Sequence, residues 1–261
     1  MSDQPWTGGQ VTERASVVLC PNPGPMTLDG TNTWVLHSPS TDQAVVIDPG
    51  PLDEEHLDAV EAHVAKLGAT VELTLVTHAH FDHDEGVPRW IERTGSAVRG
   101  AGRGEALRHD ERITVGDIDL HVLLTPGHTK DSVSFVWADE QLLLTGDSVL
   151  GRGTSIVAYP DGNLAQYLDS LDTLHVAAQE GGLTLAPGHG PTALDASAVI
   201  DFYRRHRGER LQQVRDALAG GANTAPDVAQ AVVEQVYADV PKAVWPAAKA
   251  TVLAQLEYLQ A

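Results

Sequence analysis

The chain has 261 residues, 42% hydrophobic but only 5% aromatic, which suffices for one large aliphatic-cored domain with or without an appendage. Its net charge of −19 is unevenly spread: seven of the 17 basic and seven of the 36 acidic residues lie from residue 200 onward, leaving 10 basic against 29 acidic before it, which excludes a broad nucleic-acid-binding face there. No stretch reaches the ~18–20 apolar residues of a membrane span, the polar N-terminus lacks an export-signal pattern and the single Cys20 excludes an intrachain disulfide, so a cytoplasmic protein with no membrane partner is expected.

Cys20 follows Val17-Val18-Leu19 and reads as a small buried hydrophobe. A turn-rich segment runs from Asn22 to Thr33, and strands are predicted over residues 31–37 and 43–47. A helix is predicted over 53–67, with an acidic first turn and Gly68 beyond its end. A strand over 71–76 leads into Thr77-His-Ala-His-Phe-Asp-His-Asp84, and Pro88 starts a short helix. Strands follow over 118–124, 132–137, 141–144 and 183–186, with a helix over 163–178. After residue 192 the β signal ends, and helices are expected over 193–218, 226–238 and 242–260. The reading is α/β (α+β), sheets with helices outside over 1–192 and a small helical appendage over 193–261. The appendage is balanced in charge and no hairpin follows its last helix, so docking or homodimer formation is favoured over a nucleic-acid-reading helix-turn-helix.

Residues 77–84 carry the densest chemistry. His78, His80, Asp82 and His83 offer the imidazoles and carboxylates that a borderline divalent metal binds. Side chains two apart on a strand share a face, so His78 and His80 can reach one ion. Asp82 and His83 lie where the chain turns and can aim at a second. Three further strands end in tight turns that present ligands: Thr125-Pro-Gly-His128, Thr145-Gly-Asp147 and Ala186-Pro-Gly-His189. The combined inventory is five histidines and two aspartates, enough for two metals that share a carboxylate.

This pattern resembles the metallo-β-lactamase superfamily over residues of about 15 to 195. The resemblance implies an αββα sandwich with the site on one edge. It also implies that His78, His80 and His128 bind one metal, that Asp82, His83 and His189 bind the other, and that Asp147 bridges them. A narrower likeness lies in Asn22-Pro-Gly-Pro-Met-Thr-Leu-Asp-Gly-Thr-Asn-Thr33, Gly146-Asp-Ser-Val-Leu-Gly-Arg-Gly-Thr154 and Tyr203-Arg-Arg-His-Arg207. These resemble the lactamase-β-like protein 2 group and its bacterial relatives, whose members carry a winged-helix-like C-terminal domain. Animal members are described as endoribonucleases on single-stranded RNA, and fungal relatives as thioesterases on carrier-bound polyketides. Glyoxalase II enzymes, larger nucleases with an inserted domain, flavodiiron proteins and secreted lactamases fit less well.

The expected chemistry is hydrolysis by a hydroxide that two metals activate, with Asp147 setting their spacing and Asp82 orienting the nucleophile. Zinc is the first choice for a ligand set without thiolate, with iron or manganese as alternatives. Arg152 is a candidate contact for an anionic substrate group, and Tyr159 and Asn32 are candidates to line the mouth. Thr129 and Ser132 could bond groups behind the ligands. Arg99, Arg103, Arg108 and Arg112 with His109 could grip phosphates, but the interleaved Glu105, Asp110 and Glu111 favour a solvated loop. Three functions stay open: RNA phosphodiester cleavage; hydrolysis of an ester, thioester or lactone; and a non-enzymatic interaction module, which would not need seven ligands.

Overall fold

A computed structural model describes residues 5–260. The first sheet has seven strands in spatial order: β1 (Gly9–Gln10), β2 (Ala15–Leu19), β3 (Asn32–Ser38), β4 (Gln43–Ile47), β5 (Thr70–Leu75), β6 (Ala97–Gly100) and β7 (Arg103–Gly104). Alternation sorts their side chains. In β3 and β4, Trp34, Leu36, Val45 and Ile47 enter one apolar cluster, while Val35, Ala44 and Val46 enter another. A sheet apolar on both faces must be covered on both. The outer face is covered by α1 (Glu54–Lys66) and, beyond the single turn α2 (Phe81–Asp84), by α3 (Val87–Thr94), which contribute Leu57, Val60, Val64 and Trp90.

The inner face meets a second sheet, β12-β11-β10-β9-β8 in spatial order. Its strands are β8 (Arg112–Val115), β9 (Ile118–Leu124), β10 (Val133–Trp137), β11 (Leu142–Gly146) and β12 (Thr184–Pro187). Leu142 and Leu144 point into the cluster between the sheets, and Leu143 points out toward α4 (Leu164–Gly181) and α5 (Ala196–Ala219). The layers are therefore helix, sheet, sheet, helix, as the resemblance implied. Truncating a fully buried leucine such as Leu143 to alanine would cost about 2–5 kcal/mol.

Strand direction gathers the chemistry. β4 and β5 are parallel, as are β11 and β12, and β10 is antiparallel to both β9 and β11. Hence β9, β11 and β12 point the same way. Their C-terminal ends meet those of β4 and β5 along one edge, where Val133 N–H donates to Thr77 O at 2.9 Å and Asn32 N–H to Gly188 O at 2.8 Å.

Asp53, Asn163, Asp195 and Asp227 cap α1, α4, α5 and α6 (Val228–Val236), each accepting from the amide three residues on. Such caps contribute about 1 kcal/mol each. With α7 (Trp245–Gln260), α6 and the end of α5 enclose a further cluster around Val214, Val232, Val233 and Val252. No helix among the described residues is long and apolar enough to cross a membrane. The segment read as a solvated arginine loop instead contains β6, β7 and β8, strands too short and charged to show a period. Three of its four arginines are engaged: Arg99 with Glu111 at 2.7 Å, Arg103 with Asp84 at 2.8 Å and Arg112 with Asp119 at 3.0 Å.

Candidate metal centre

Each ligand-bearing turn follows a strand that ends at the common edge. His78 leaves β5 in line with the strand, and His80 precedes α2, whose single turn swings Asp82 and His83 to a different point. His128 follows β9, Asp147 follows β11 and His189 follows β12. The sequence-predicted ligands all converge there.

His80 Nδ1 lies 3.0 Å from His78 Nε2 and 3.1 Å from His128 Nε2. His189 Nε2 lies 3.2 Å from His83 Nε2 and 3.1 Å from Asp82 Oδ2. Asp147 stands between the two groups: its Oδ2 is 3.7 Å from His128 Nε2 and 3.4 Å from His189 Nε2, and its Oδ1 is 3.5 Å from His83 Nε2. Ligand atoms in a tetrahedron about 2 Å from one ion lie about 3.3 Å apart. Three groups of these residues could hold a metal: His78, His80 and His128; His78, His83 and Asp147; Asp82, His83 and His189. The donor set fits a divalent pair. Buried Asp147 Oδ1 has no hydrogen-bond partner. A Cβ on Gly188 would lie 2.5 Å from that same oxygen, so glycine keeps the cradle open.

The rings are fixed from behind. His128 Nδ1–H donates to Ile156 O at 2.6 Å and His189 Nδ1–H to Gly30 O at 3.1 Å. His83 Nδ1–H donates to Asp48 Oδ2 at 2.9 Å, and His78 Nδ1–H to Thr77 Oγ1 at 2.9 Å. The Thr77 hydroxyl in turn donates to Asp48 Oδ2 at 2.7 Å. An acceptor on Nδ1 leaves the Nε2 lone pair for a metal. Asp48 is the functional residue that sequence reasoning missed. It is buried, sits in the left-handed region at φ +55, and begins an Asp-Pro-Gly turn at the end of β4. That strand-then-turn form matches the ligand turns and was its only signal. Thr129 and Ser132 bond each other at 2.6 Å rather than any ligand.

The electrostatics are those of a carboxylate-rich pit holding imidazoles. Burial lowers His78, and the neighbouring His83 reinforces this, so it stays neutral. Burial also works to lower His83, but Asp147, Asp48 and Asp82 outweigh it and hold it well above the usual histidine range. His189 is raised to about 9 against burial by Asp147. Burial would raise Asp147, yet His189 and His83 hold it well below the usual carboxylate range.

A cavity of about 160 Å3 opens over His128 and Asp147. Pro25, Met26, Leu28, Leu150 and Ile156 give it apolar walls. Arg152 lines it too, but pairs with Asp29 at 2.7 Å. Tyr159 is exposed and outside this lining. Asn32 is fully buried: its amide donates to Pro187 O and Gly190 O at 2.9 Å each and accepts from Trp6, pinning the turn that carries His189.

Comparison with known proteins agrees with this architecture. Residues 26–106 and 96–189 match the metallo-beta-lactamase superfamily, and residues 229–261 match a beta-lactamase associated winged helix domain. A beta-lactamase-like protein 2 homolog of Drosophila melanogaster is 32% identical, over 96% of this chain and 89% of its own. An atrochrysone carboxyl ACP thioesterase of Aspergillus chevalieri is 30% identical, over 89% of this chain and 76% of its own. The crystal structure of a beta-lactamase domain protein from Burkholderia ambifaria superposes with a TM-score of 0.81 at 23% identity, over 97% of this chain and 87% of its own. The chain belongs to the metallo-β-lactamase superfamily.

Proposed function

We propose that the chain is a two-metal hydrolase of a carbonyl ester, with thioesters as its substrate class. The observation that carries this reading is the small apolar-walled cavity over His128 and Asp147, whose arginine is already neutralised by Asp29. An acyl group fits such walls, whereas a polynucleotide needs a cationic track. The thioesterase among the relatives supports the same class.

His78, His80 and His128 would hold one zinc ion, Asp82, His83 and His189 the other, with Asp147 shared. Bound there, such a pair supplies a water acidic enough to attack at neutral pH and an electrophile for the substrate carbonyl. Asp48 keeps His83 and Thr77 in register. Burial would raise Asp82, but His83 and His189 keep it ionised. Its carboxylate, 27% exposed, would accept a hydrogen bond from the attacking water and so orient it. Met26, Leu150 and Ile156 exclude other water from the acyl group.

The test assays zinc-loaded protein in parallel on acyl-thioesters, lactones and labelled single-stranded RNA, with Asp147→Ala as control. Thioester turnover lost in the variant is expected. RNA cleavage lost in the variant, without thioester turnover, would overturn the reading in favour of a nuclease.

A further inference from the structure

A second cavity of about 270 Å3 lies between the mouth of the metal centre and the C-terminal helices. Pro25, Met26, Thr154, Ser155 and Ile156 line both cavities, so the two adjoin across a wall made of two short segments. The far wall is α5, which presents His206, Arg207 and Arg210, with Tyr237 and α7 closing the side. No Asp or Glu lines it, although the chain carries a net charge of −19.

The arginines of this wall have no acidic partner. Arg14, Arg93, Arg99 and Arg152 all sit in ion pairs. Neither Arg207 nor Arg210 has a carboxylate within ion-pair distance among the described residues. Arg207 is only 5% exposed. Its guanidinium stacks on the Tyr167 ring and donates to Ser155 O, yet its Nε is buried without a partner. His206 Nδ1 is likewise buried and unpartnered. Burial lowers His206, and the charges of Arg207 and Arg210 lower it further, the mark of a positive field. Arg210 donates through Nη1 to Val236 O at 2.9 Å and to Gln213 Oε1 at 3.0 Å, and lies over the Tyr237 ring, leaving Nε and Nη2 for a ligand. Burying guanidinium charge without a counter-charge is costly, and a fork of N–H donors matches phosphate.

Ser155 connects this wall to the chemistry. Its carbonyl is held by Arg207, and its hydroxyl lies 3.1 Å from Nδ1 of the ligand His128. A molecule with its acyl carbon at the metal centre and its tail directed past Ser155 would meet the guanidinium groups. We propose that this cavity seats a phosphate group on the substrate's tail, so that the natural substrate is a small phosphorylated thioester gripped by Arg207 and Arg210 of the helical part. This rests on the thioester reading above. A nucleic-acid strand is disfavoured because the cationic surface is confined to one pocket and does not continue as a track.

The test uses two probes that differ by one phosphate: S-butyryl-6-mercaptohexanol and the same thioester with its hydroxyl phosphorylated. On zinc-loaded protein the phosphorylated probe is expected to show a KM about tenfold lower. Arg210→Gln should abolish that preference, while Arg215→Gln, an exposed position on the same helix, should keep it. Equal KM values for both probes in the wild type would overturn the proposal. A second measurement is independent of turnover. Calorimetric titration of metal-free protein with the phosphorylated, uncleavable thioether is expected to show binding that weakens about tenfold in Arg210→Gln. Such binding without hydrolysis of either thioester would sink the thioesterase reading and leave the cavity assignment standing. Hydrolysis without Arg210-dependent binding would do the reverse. Displacement of the thioether by a single-stranded oligoribonucleotide, lost in Arg210→Gln, would overturn the proposal by giving the cavity to RNA.

Discussion

The carboxylate of Asp48 lies 2.9 Å from Nδ1 of His83, joining the end of β4 to the turn after β5. The same carboxylate accepts the Thr77 amide at 2.7 Å and the Thr77 hydroxyl. One buried residue thus orients two ligand-bearing positions at once. Asp48→Asn keeps a side chain that tolerates positive φ but removes the charge and one acceptor. Zinc affinity is expected to fall about 10–100-fold, chiefly at the position served by His83. Chelator competition would measure it, and an unchanged affinity would show that Asp48 serves only the fold.

His56 gives a pH prediction away from the ligands. It is buried on α1, with its Nε2 2.8 Å from Thr33 Oγ1, and burial lowers it to about 4. The folded state therefore binds this proton less readily than the unfolded chain, whose histidine titrates near 6.5. The stability that a neutral His56 provides is present above pH 6.5 and is lost as pH falls from there to about 4. The loss is roughly 3 kcal/mol. His56→Gln should flatten the urea-midpoint profile over that interval relative to wild type. Parallel profiles would refute the assignment.

Two glycines near the ligands should separate fold from metal binding. At Gly127 a Cβ would lie 2.3 Å from the Tyr167 Cα, against helix backbone that cannot yield, and φ is +134. Gly127→Ala is expected to lose several kcal/mol, in line with overpacking and backbone strain together. At Gly188 the added Cβ would meet Asp147 Oδ1 and the His83 ring instead. Gly188→Ala should keep a near-native melting temperature without metal yet take up less zinc. Thermal melts and elemental analysis of both variants test this, and a Gly188→Ala protein with two equivalents of zinc would contradict it.

Asn32→Ala removes the donor to Gly190 O and the acceptor of the Trp6 indole N–H, while Pro187 O keeps the Trp34 indole N–H at 3.1 Å. The expected cost is about 1–3 kcal/mol, chiefly from the one buried acceptor left unsatisfied. Metal should be lost first where His189 contributes. A stability change under 1 kcal/mol would mean that the turn holds its shape without the amide.

Much of the centre was legible because each ligand ends an aliphatic strand in a turn that sequence chemistry marks, as in Leu124-Thr-Pro-Gly-His128. Asp48 was hidden because it acts through His83 and sits in a turn with no histidine of its own. The wall formed by Arg207 and Arg210 was hidden for a different reason. It faces residues 154–156 only after α5 packs along α4, and no local periodicity encodes a contact across some 50 residues. Asn32 was read as part of the mouth from its turn-rich neighbourhood, whereas its amide is spent on the backbone of β12 and the following turn. The short strands β6 to β8 carry too little pattern to be legible, being two to four residues long and mixed in charge.

The 24-residue helix α5 contributes Ala196, Ile200 and Tyr203 to the core beneath the second sheet, and Val214 and Ala217 to the core it shares with α6 and α7. An exchange of the C-terminal part between relatives by recombination would therefore strip the sandwich of part of its own outer layer. Substitutions along one face of this helix, at positions such as 206, 207 and 210, would instead change the cavity lining while leaving the residues of the metal centre in place.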